Sequence, residues 1–362
     1  MNSPAIVREP VTLQIGSQQH QGWQEVRIRL SLEQIADSFE LVLTERWSEA
    51  GQVRPVTPGE PCTVSVGGEL VVTGYLDEVL PDYDATSHTI VANGRSKAAD
   101  LIDCSGKDQR FDGRTLLQIA EALAEPYGIE VIDTVDAAKP FRAFALEDGQ
   151  PIAEALERAA QIRGARIVSD AEGRLLIVHA VQREVATPLE LGGNIRQGSG
   201  VFSDRDRFHE YVVEGQTTGT DDWFGDQAAS PRGSAMDPRV RRPRTTLIVC
   251  DTPADGADCE ARAELEARMR WAKGRGVTYT VGTWRHELGV WRPGDLVQVR
   301  DAYLGLDEPL LISDVQLVEN DQGRTAELRV APPDAFAPVP IPEPEPETSS
   351  TGGSKTPAGW GW

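Results

Sequence analysis

Apolar and polar residues alternate through most of the first hundred positions. The segments VTLQIG, QEVRIRLSL, SFELVLTE, CTVSVGG, ELVVTGYLDEVL and SHTIVANGR each turn every second side chain to an apolar face, with Gly, Pro, Asp and Ser between them. A period of two belongs to strands with one buried face, and short strands at this spacing predict a small barrel or sandwich. The period changes after residue 100. Leu116, Ile119, Ala120, Leu123 and Tyr127 fall at helical spacing, as do Ile152, Leu156, Ala159 and Ile162, and each run stops at a glycine. IEVID follows the first helix, and ARIVSDAEGRLLIVHA follows the second as a hairpin turning at Glu172 and Gly173.

Strands resume with HEYVVEGQ. A polar passage over about 217–244, dense in Gly, Asp, Ser and Pro, predicts a long loop or insertion. TTLIVCD reads as a strand and DGADCEARAELEARMRWAKGRG as the strongest helix. Asp255 and Asp258 sit near the start of that helix and Lys273 and Arg275 near its end, as the helix dipole favours. VTYTVGTW, DLVQVRD, EPLLISDVQLVEN and RTAELRVA complete the strands. The fold class expected is mainly β with α+β insertions: two tube-like antiparallel β-barrel domains plus a small α+β domain. The boundaries are 1–97 for the first barrel, 98–180 for the α+β domain and 181–336 for the second barrel, with a loop and helix inserted at about 217–275. Residues 337–362 form a Pro/Glu/Gly tail, extended in its first part and flexible in its second. Trp360 and Trp362 in that tail either anchor it to a partner or lie loose.

The two ends of the folded region resemble each other. TPGEPCTVSV near residue 60 parallels RPGDLVQVRD near 295. GELVVTGYLDEVLPDYD then parallels DEPLLISDVQLVENDQ, and HTIVANG parallels TAELRVA. The shared order is a Pro-Gly-acid turn, a strand, a long strand, a turn and a returning strand. A Pro-Gly turn fixes one φ and frees the next, and so sets the direction of the strand that follows. This pattern fits either a duplicated unit or two unrelated β-meanders.

The chain has 362 residues, 40% of them hydrophobic, enough for two or three cored domains. No apolar run approaches the roughly 20 residues of a membrane helix, so no stable membrane insertion is expected. The N-terminus lacks the pattern of a secretory signal, which suggests a protein made and kept in a cytoplasm unless something larger carries it out. Cys62, Cys104, Cys250 and Cys259 show no paired spacing and are expected to be reduced and mostly buried. A formal charge of −21 argues against tight, sequence-independent nucleic-acid binding. An acidic surface repels DNA, which helps a conduit as well as mere solubility.

Candidate chemistry is scarce. His20, His88, His179, His209 and His286 are scattered, without metal-ligand spacing, and QGSGVFS is a turn rather than a nucleophile elbow. Arg239, Arg241, Arg242 and Arg244 form the one basic cluster, suited to a solvated loop, a neighbouring acidic face or phosphates. HTIVANGRSKAADLIDCS crowds Arg95, Ser96, Lys97, Asp100, Asp103 and Cys104 together. It reads as a strand that breaks at Asn93 and Gly94 and passes into a helical turn, a junction in which Asp100 and Asp103 can pair with Arg95 or Lys97. No catalytic, cofactor-binding or metal residue is expected.

Within ELVVTGYLDEVLPDYDATSHTIVANGRSKAADLIDCS, a strand pair runs into a Gly-Arg-Ser step and then an Asp-Leu-Ile-Asp-Cys turn. This resembles the baseplate hub proteins of Mu-like contractile-tailed phages, and the order of elements continues the resemblance over roughly 1–335. The Pro-Glu tail departs from that pattern. Hub regions of type VI secretion spikes and of R-type bacteriocins look related. The resemblance implies a homotrimeric ring that joins a hexameric tail tube to a trimeric central spike among other baseplate proteins. It also implies passage of DNA without specific binding, and a place in the virion tail after assembly in the host bacterial cytoplasm. The family has no catalytic residues or cofactor to carry over. Two other readings are a tail-associated cell-wall hydrolase, which needs an opposed acid pair, and a receptor- or carbohydrate-binding module. For the latter, Trp23, Trp47, Trp223, Trp271, Trp284 and Trp291 are explained more simply by packing.

Overall fold

Each of the alternating segments becomes a strand. A computed structural model of the chain describes residues 9–44, 56–84, 88–107, 109–216, 231–253 and 256–337. The first module contains β1 (Val11–Ile15), β2 (Gln18–His20), β3 (Glu25–Ser31), β4 (Ser38–Thr44), β5 (Pro61–Val66), β6 (Glu69–Tyr83) and β7 (His88–Ser96). Its hydrogen-bonded order is β2-β1-β5-β6-β7-β4-β3. Val26, Ile28 and Leu30 on β3, with Phe39 and Leu41 on β4, point to one buried face, while Arg27 and Arg29 point away from it.

The helix α1 (Ala99–Asp103) leads into the α+β part: β8 (Arg110–Asp112), α2 (Leu116–Ala124), β9 (Val131–Asp133), β10 (Ala143–Ala145), α3 (Ile152–Ile162), β11 (Arg166–Ser169) and β12 (Leu175–Val178). Thr115 and Gln118 form a reciprocal capping box that starts α2. Pro126 turns the end of the predicted helix into one 3₁₀ turn, and Gly128 stops it at φ 63°. Strands β11 and β12 form the hairpin expected at Glu172 and Gly173, with β9 parallel to β12. The core here is Leu116, Ile119, Leu123, Phe141, Phe144 and Leu156, and it also buries Ile35 and Ala36 from the first module.

The remainder runs through β13 (Arg183–Glu190), β14 (Ile195–Phe202), β15 (Glu210–Gln216), β16 (Arg232–Met236), β17 (Thr245–Pro253), α4 (Gly256–Lys273), β18 (Arg275–Val281), the short pair β19 (Arg285–His286) and β20 (Gly289–Val290), β21 (Asp295–Asp301), β22 (Leu306–Asn320) and β23 (Gly323–Ala331). The polar passage is not all loop. Residues 217–230 lie outside the described residues, but Arg232–Met236 pairs with β15. Its sequence, RGSAM, has no strand-like alternation. Gly233 is there because any Cβ would collide with the backbone of Cys259 and Glu260, so α4 lies directly on β16. Tyr211 and Val213 on β15 meet Cys259 and Ala263 on α4, and this small layer has its own core. Asp258 lies in the first turn of α4 and Arg270 and Lys273 in its last; Asp255 is outside the described residues.

The mainly β class with a small α+β domain is the architecture observed. Among the described residues neither β-module closes into a barrel. Instead β3 pairs with β22, so that the two modules merge into one 13-stranded sheet. A single core follows this sheet, from Val11 and Leu13 on β1 to Leu328 and Val330 on β23. The merger satisfies two sheet edges at once and removes the need for each module to close on itself. A second correction concerns Asn93 and Gly94, where β7 does not break: both residues pair with β4 and β6. Gly94 is a close-approach glycine, because a Cβ there would strike the ring of Phe39 and the carbonyl of Tyr75.

Candidate functional site

The faint sequence repeat corresponds to two copies of one structural motif. In both, a Pro-Gly-acid turn enters a meander, β5-β6-β7 in the first and β21-β22-β23 in the second. The long strands β6 and β22 have 15 residues each, and β7 and β23 have nine each. The turns share their hydrogen bonds. Glu60 accepts from the backbone N–H of Thr57 at 3.3 Å, and Asp295 accepts from that of Arg292 at 3.0 Å. Gly59, at φ 86°, donates to the Leu76 carbonyl, and Gly294, at φ 90°, to the Ile312 carbonyl. Both long strands carry a bulge at the matching place. The register of β6 on β7 shifts between Leu76 and Glu78, opposite Gly94 and Asn93. That of β22 on β23 shifts between Ile312 and Asp314, opposite Val330 and Arg329. Turn chemistry, strand length and bulge position agree together, which unrelated meanders do not require.

Within the chain, β3 of the first module lies antiparallel on the second half of β22, from Ser31 opposite Asp314 to Val26 opposite Glu319. In the second module the strand in the position of β3 is β14, which among the described strands pairs with β18 alone. The strand in the position of β22 is β6, whose residues 78–82 pair with β7 on one side and with no described strand on the other. Among the described residues there are therefore two open edges, related as the two sides of the internal junction. Large apolar side chains lie exposed on both: Leu80 at 50%, Val201 at 69% and Phe202 at 48%. The sequence reading singled out none of the three, and it took QGSGVFS for a turn. In the structure Gln197–Phe202 belong to β14 and pair along their length with β18. The two glycines and the exposed positions leave no alternation to read, so a search for period two passes over this strand.

On the sheet face away from the core, three arginines have carboxylate partners. Arg27 pairs with Glu40 at 2.9 Å and Glu25 at 3.5 Å. Arg95 pairs with Asp77 at 2.5 Å and Asp103 at 2.6 Å, and Arg329 with Glu33 at 3.0 Å and Asp314 at 3.5 Å. The β6 bulge turns Asp77 toward Arg95. Thus Arg95 and Asp103 pair as the sequence suggested and fasten α1 to the sheet, while Asp100 makes no ion pair with Arg95. Ser96 is buried, and its hydroxyl accepts from the Asp37 N–H at 3.1 Å. Cys104 is half-buried, and Cys62 and Cys259 are buried. Burial pushes the Cys62 thiol up to about 12, so it stays protonated.

Among the described residues no group of His, Cys, Asp and Glu is placed to hold a metal ion, and no helix is long and apolar enough to cross a membrane. His209 bonds the Val240 carbonyl at 2.8 Å and His179 is exposed. The His286 side chain is fully buried, 3.4 Å from Asp295, and Arg183 forks onto the same carboxylate. Burial alone would raise the Asp295 carboxyl, but bonds from His286 and Arg183 hold it below its ordinary value. This group ties β13 and β19 to the second Pro-Gly turn. The sequence could not show it, because its members come from three distant segments. In the basic cluster, Arg239 lies over the Trp271 ring and Arg244 over Phe208, each at 4.8 Å, whereas Arg241 and Arg242 are exposed. Trp284 and Trp291 are buried in the sheet core as packing required, and Trp23 lies against it. Trp47, Trp223, Trp360 and Trp362 lie outside the described residues.

Three family models match the chain. They are described as Mu phage baseplate assembly protein GpP-like, N-terminal, over residues 10–96; baseplate hub protein gp44-like, second domain, over 98–179; and Mu phage baseplate assembly protein GpP, fourth domain, over 255–339. The baseplate hub protein gp44 of Escherichia phage Mu is 33% identical over 338 residues, covering 90% of this chain and 88% of that protein. The 43 kDa tail protein of prophage MuSo2 from Shewanella oneidensis superposes with a TM-score of 0.81 at 34% identity, over 91% of this chain and 99% of that one. A type VI secretion component of E. coli, c3393, shares the fold at a TM-score of 0.56 and 12% identity, over 91% and 80%.

Proposed function

The chain belongs to the baseplate hub proteins of Mu-like phages, structural parts of a virion tail baseplate, and from that premise we propose that three copies close into a ring between the tail tube and the central spike. The observation that carries this reading is the paired β-module. A three-fold ring of chains with two equivalent modules each presents six similar units around its axis. Such a ring meets a hexameric tube with its six modules and a trimeric spike with its three chains. The chain then has a mechanical role and no reaction to catalyse. It contacts the tube, the spike and the neighbouring baseplate proteins, and is assembled in the host bacterial cytoplasm before it becomes part of the virion.

In the ring the charge-paired face of the sheet lines the bore, since the opposite face is already covered by the core. DNA binding without sequence preference depends on arginine and lysine displacing counterions from phosphates. On this face Arg27, Arg95 and Arg329 already have carboxylate partners, so a passing duplex finds little to hold it. The test is the mass of the purified chain, alone and mixed with its spike protein, by light scattering. A species of three chains is expected. A monomer in both samples would overturn the ring.

A further inference from the structure

The two open edges are matching halves of one joint. We propose that β14 of one copy adds antiparallel to residues 78–82 of β6 in the next copy, in the register that β3 and β22 already use inside the chain. This rests on the ring reading and specifies how the ring is closed.

The register follows from the structure itself. Strand pairings make Phe39 equivalent to Val277, since they face the equivalent residues Gly94 and Val330. Ile28 faces Phe39 and Gly200 faces Val277, so Ile28 and Gly200 correspond, as do Arg29 with Val201 and Leu30 with Phe202. The shared bulge makes Val79, Leu80 and Pro81 the counterparts of Val315, Gln316 and Leu317. The internal junction sets Val315 opposite Leu30, Gln316 opposite Arg29 and Leu317 opposite Ile28. Carried over, Val79 stands opposite Phe202 of the neighbour, Leu80 opposite Val201 and Pro81 opposite Gly200.

Two features of the molecule agree with this placement. Leu30 and Val315 are buried at the internal joint, at 1% and 0%, whereas Phe202, in the position of Leu30, is 48% exposed in the single chain. Leu80 and Val201, both at least half exposed, replace the polar pair Gln316 and Arg29. A joint between separate molecules gains from apolar burial that an internal joint does not need, since association costs translational and rotational freedom. Strand addition at an open edge also supplies backbone hydrogen bonds to both partners. Pro81 contributes no donor, so the joint has one bond fewer available there than its internal counterpart.

The test is oxidative crosslinking of the full chain carrying Leu80→Cys and Val201→Cys. A second pair in the same register, Asp82→Cys with Ser199→Cys, is made in parallel. As a control, Leu80→Cys is combined with Phe202→Cys, which lie on opposite faces of the sheet in this register and would face each other only after a one-residue slip. Both matched pairs are expected to give reducible dimers and trimers, with the covalent trimer as the largest product, and the control none. Light scattering on the same samples separates the two readings. A trimer without crosslinks in either matched pair, or with crosslinks in the control alone, overturns the register and leaves the ring standing. A monomer without crosslinks overturns both.

Discussion

Asp37 sits where β3 turns toward β4, with 7% of its surface exposed. Its carboxylate accepts from the Ser31 N–H at 3.3 Å. Burial is the main cause that raises its pKa to about 7; the Ser31 bond and Arg292 pull it down and Asp170 pushes it up. Because the folded value lies above the ordinary carboxyl value of 3.8, the stability of the protonated group is fully present below about pH 4 and is lost as pH rises through about 7. Asp37→Asn keeps an acceptor for Ser31 and removes the charge. The variant is expected to be more stable than the parent at pH 8, by on the order of 2–4 kcal/mol, and no more stable at pH 4. Urea melts at the two pH values check this; an equal difference at both would show that ionisation of Asp37 is not the cause. At this scale the sequence was only partly legible. Arg95 and Asp103 are eight residues apart and could be paired by inspection. Arg183, His286 and Asp295 could not, because only the folded sheet brings them together. Gly94 misled for a physical reason: Asn-Gly is a strong turn signal, but here the glycine makes room for Phe39.

At the scale of elements, periodicity located the strands and helices because one face of each is buried. Alternation in VTLQIG and RTAELRVA and the helical spacing of Leu116, Ile119 and Leu123 correspond to buried positions in the structure. Periodicity failed at Arg232–Met236, a strand whose partner helix demands a small residue rather than an apolar one. It was also blind to the bulges, which consist of a register shift and no special composition. The α+β part has its own core, its own sheet and its own capped helices, and we propose that 98–180 folds as a unit. Expressed alone it is expected to melt cooperatively, with a lower Tm than in the whole chain, because Ile35 and Ala36 no longer cover its core; losing a buried Ile contact costs about 2–5 kcal/mol. Calorimetry of the fragment beside the full chain measures this. A fragment without a cooperative transition would show that the unit depends on the sheet.

At the scale of the molecule, the proposed ring makes duplication the answer to a problem of symmetry. On that proposal a chain with two equivalent modules, merged through β3 and β22, contains one joint of the ring, and its open edges supply the others. The sequence carried this in outline, through the repeated Pro-Gly-acid turn and the strand order after it. It did not show that the modules share a single sheet and core, since pairing between distant strands leaves no local pattern. Nor did it show that the outward face balances its arginines with carboxylates. The measurement that bears most directly on the account is an electron cryomicroscopy reconstruction of the assembled tail with this chain located in it. The account predicts three copies that place six β-modules around an open bore, at the level where the tube meets the spike. A ring built from one module per chain, or a hub without a continuous bore, would contradict it.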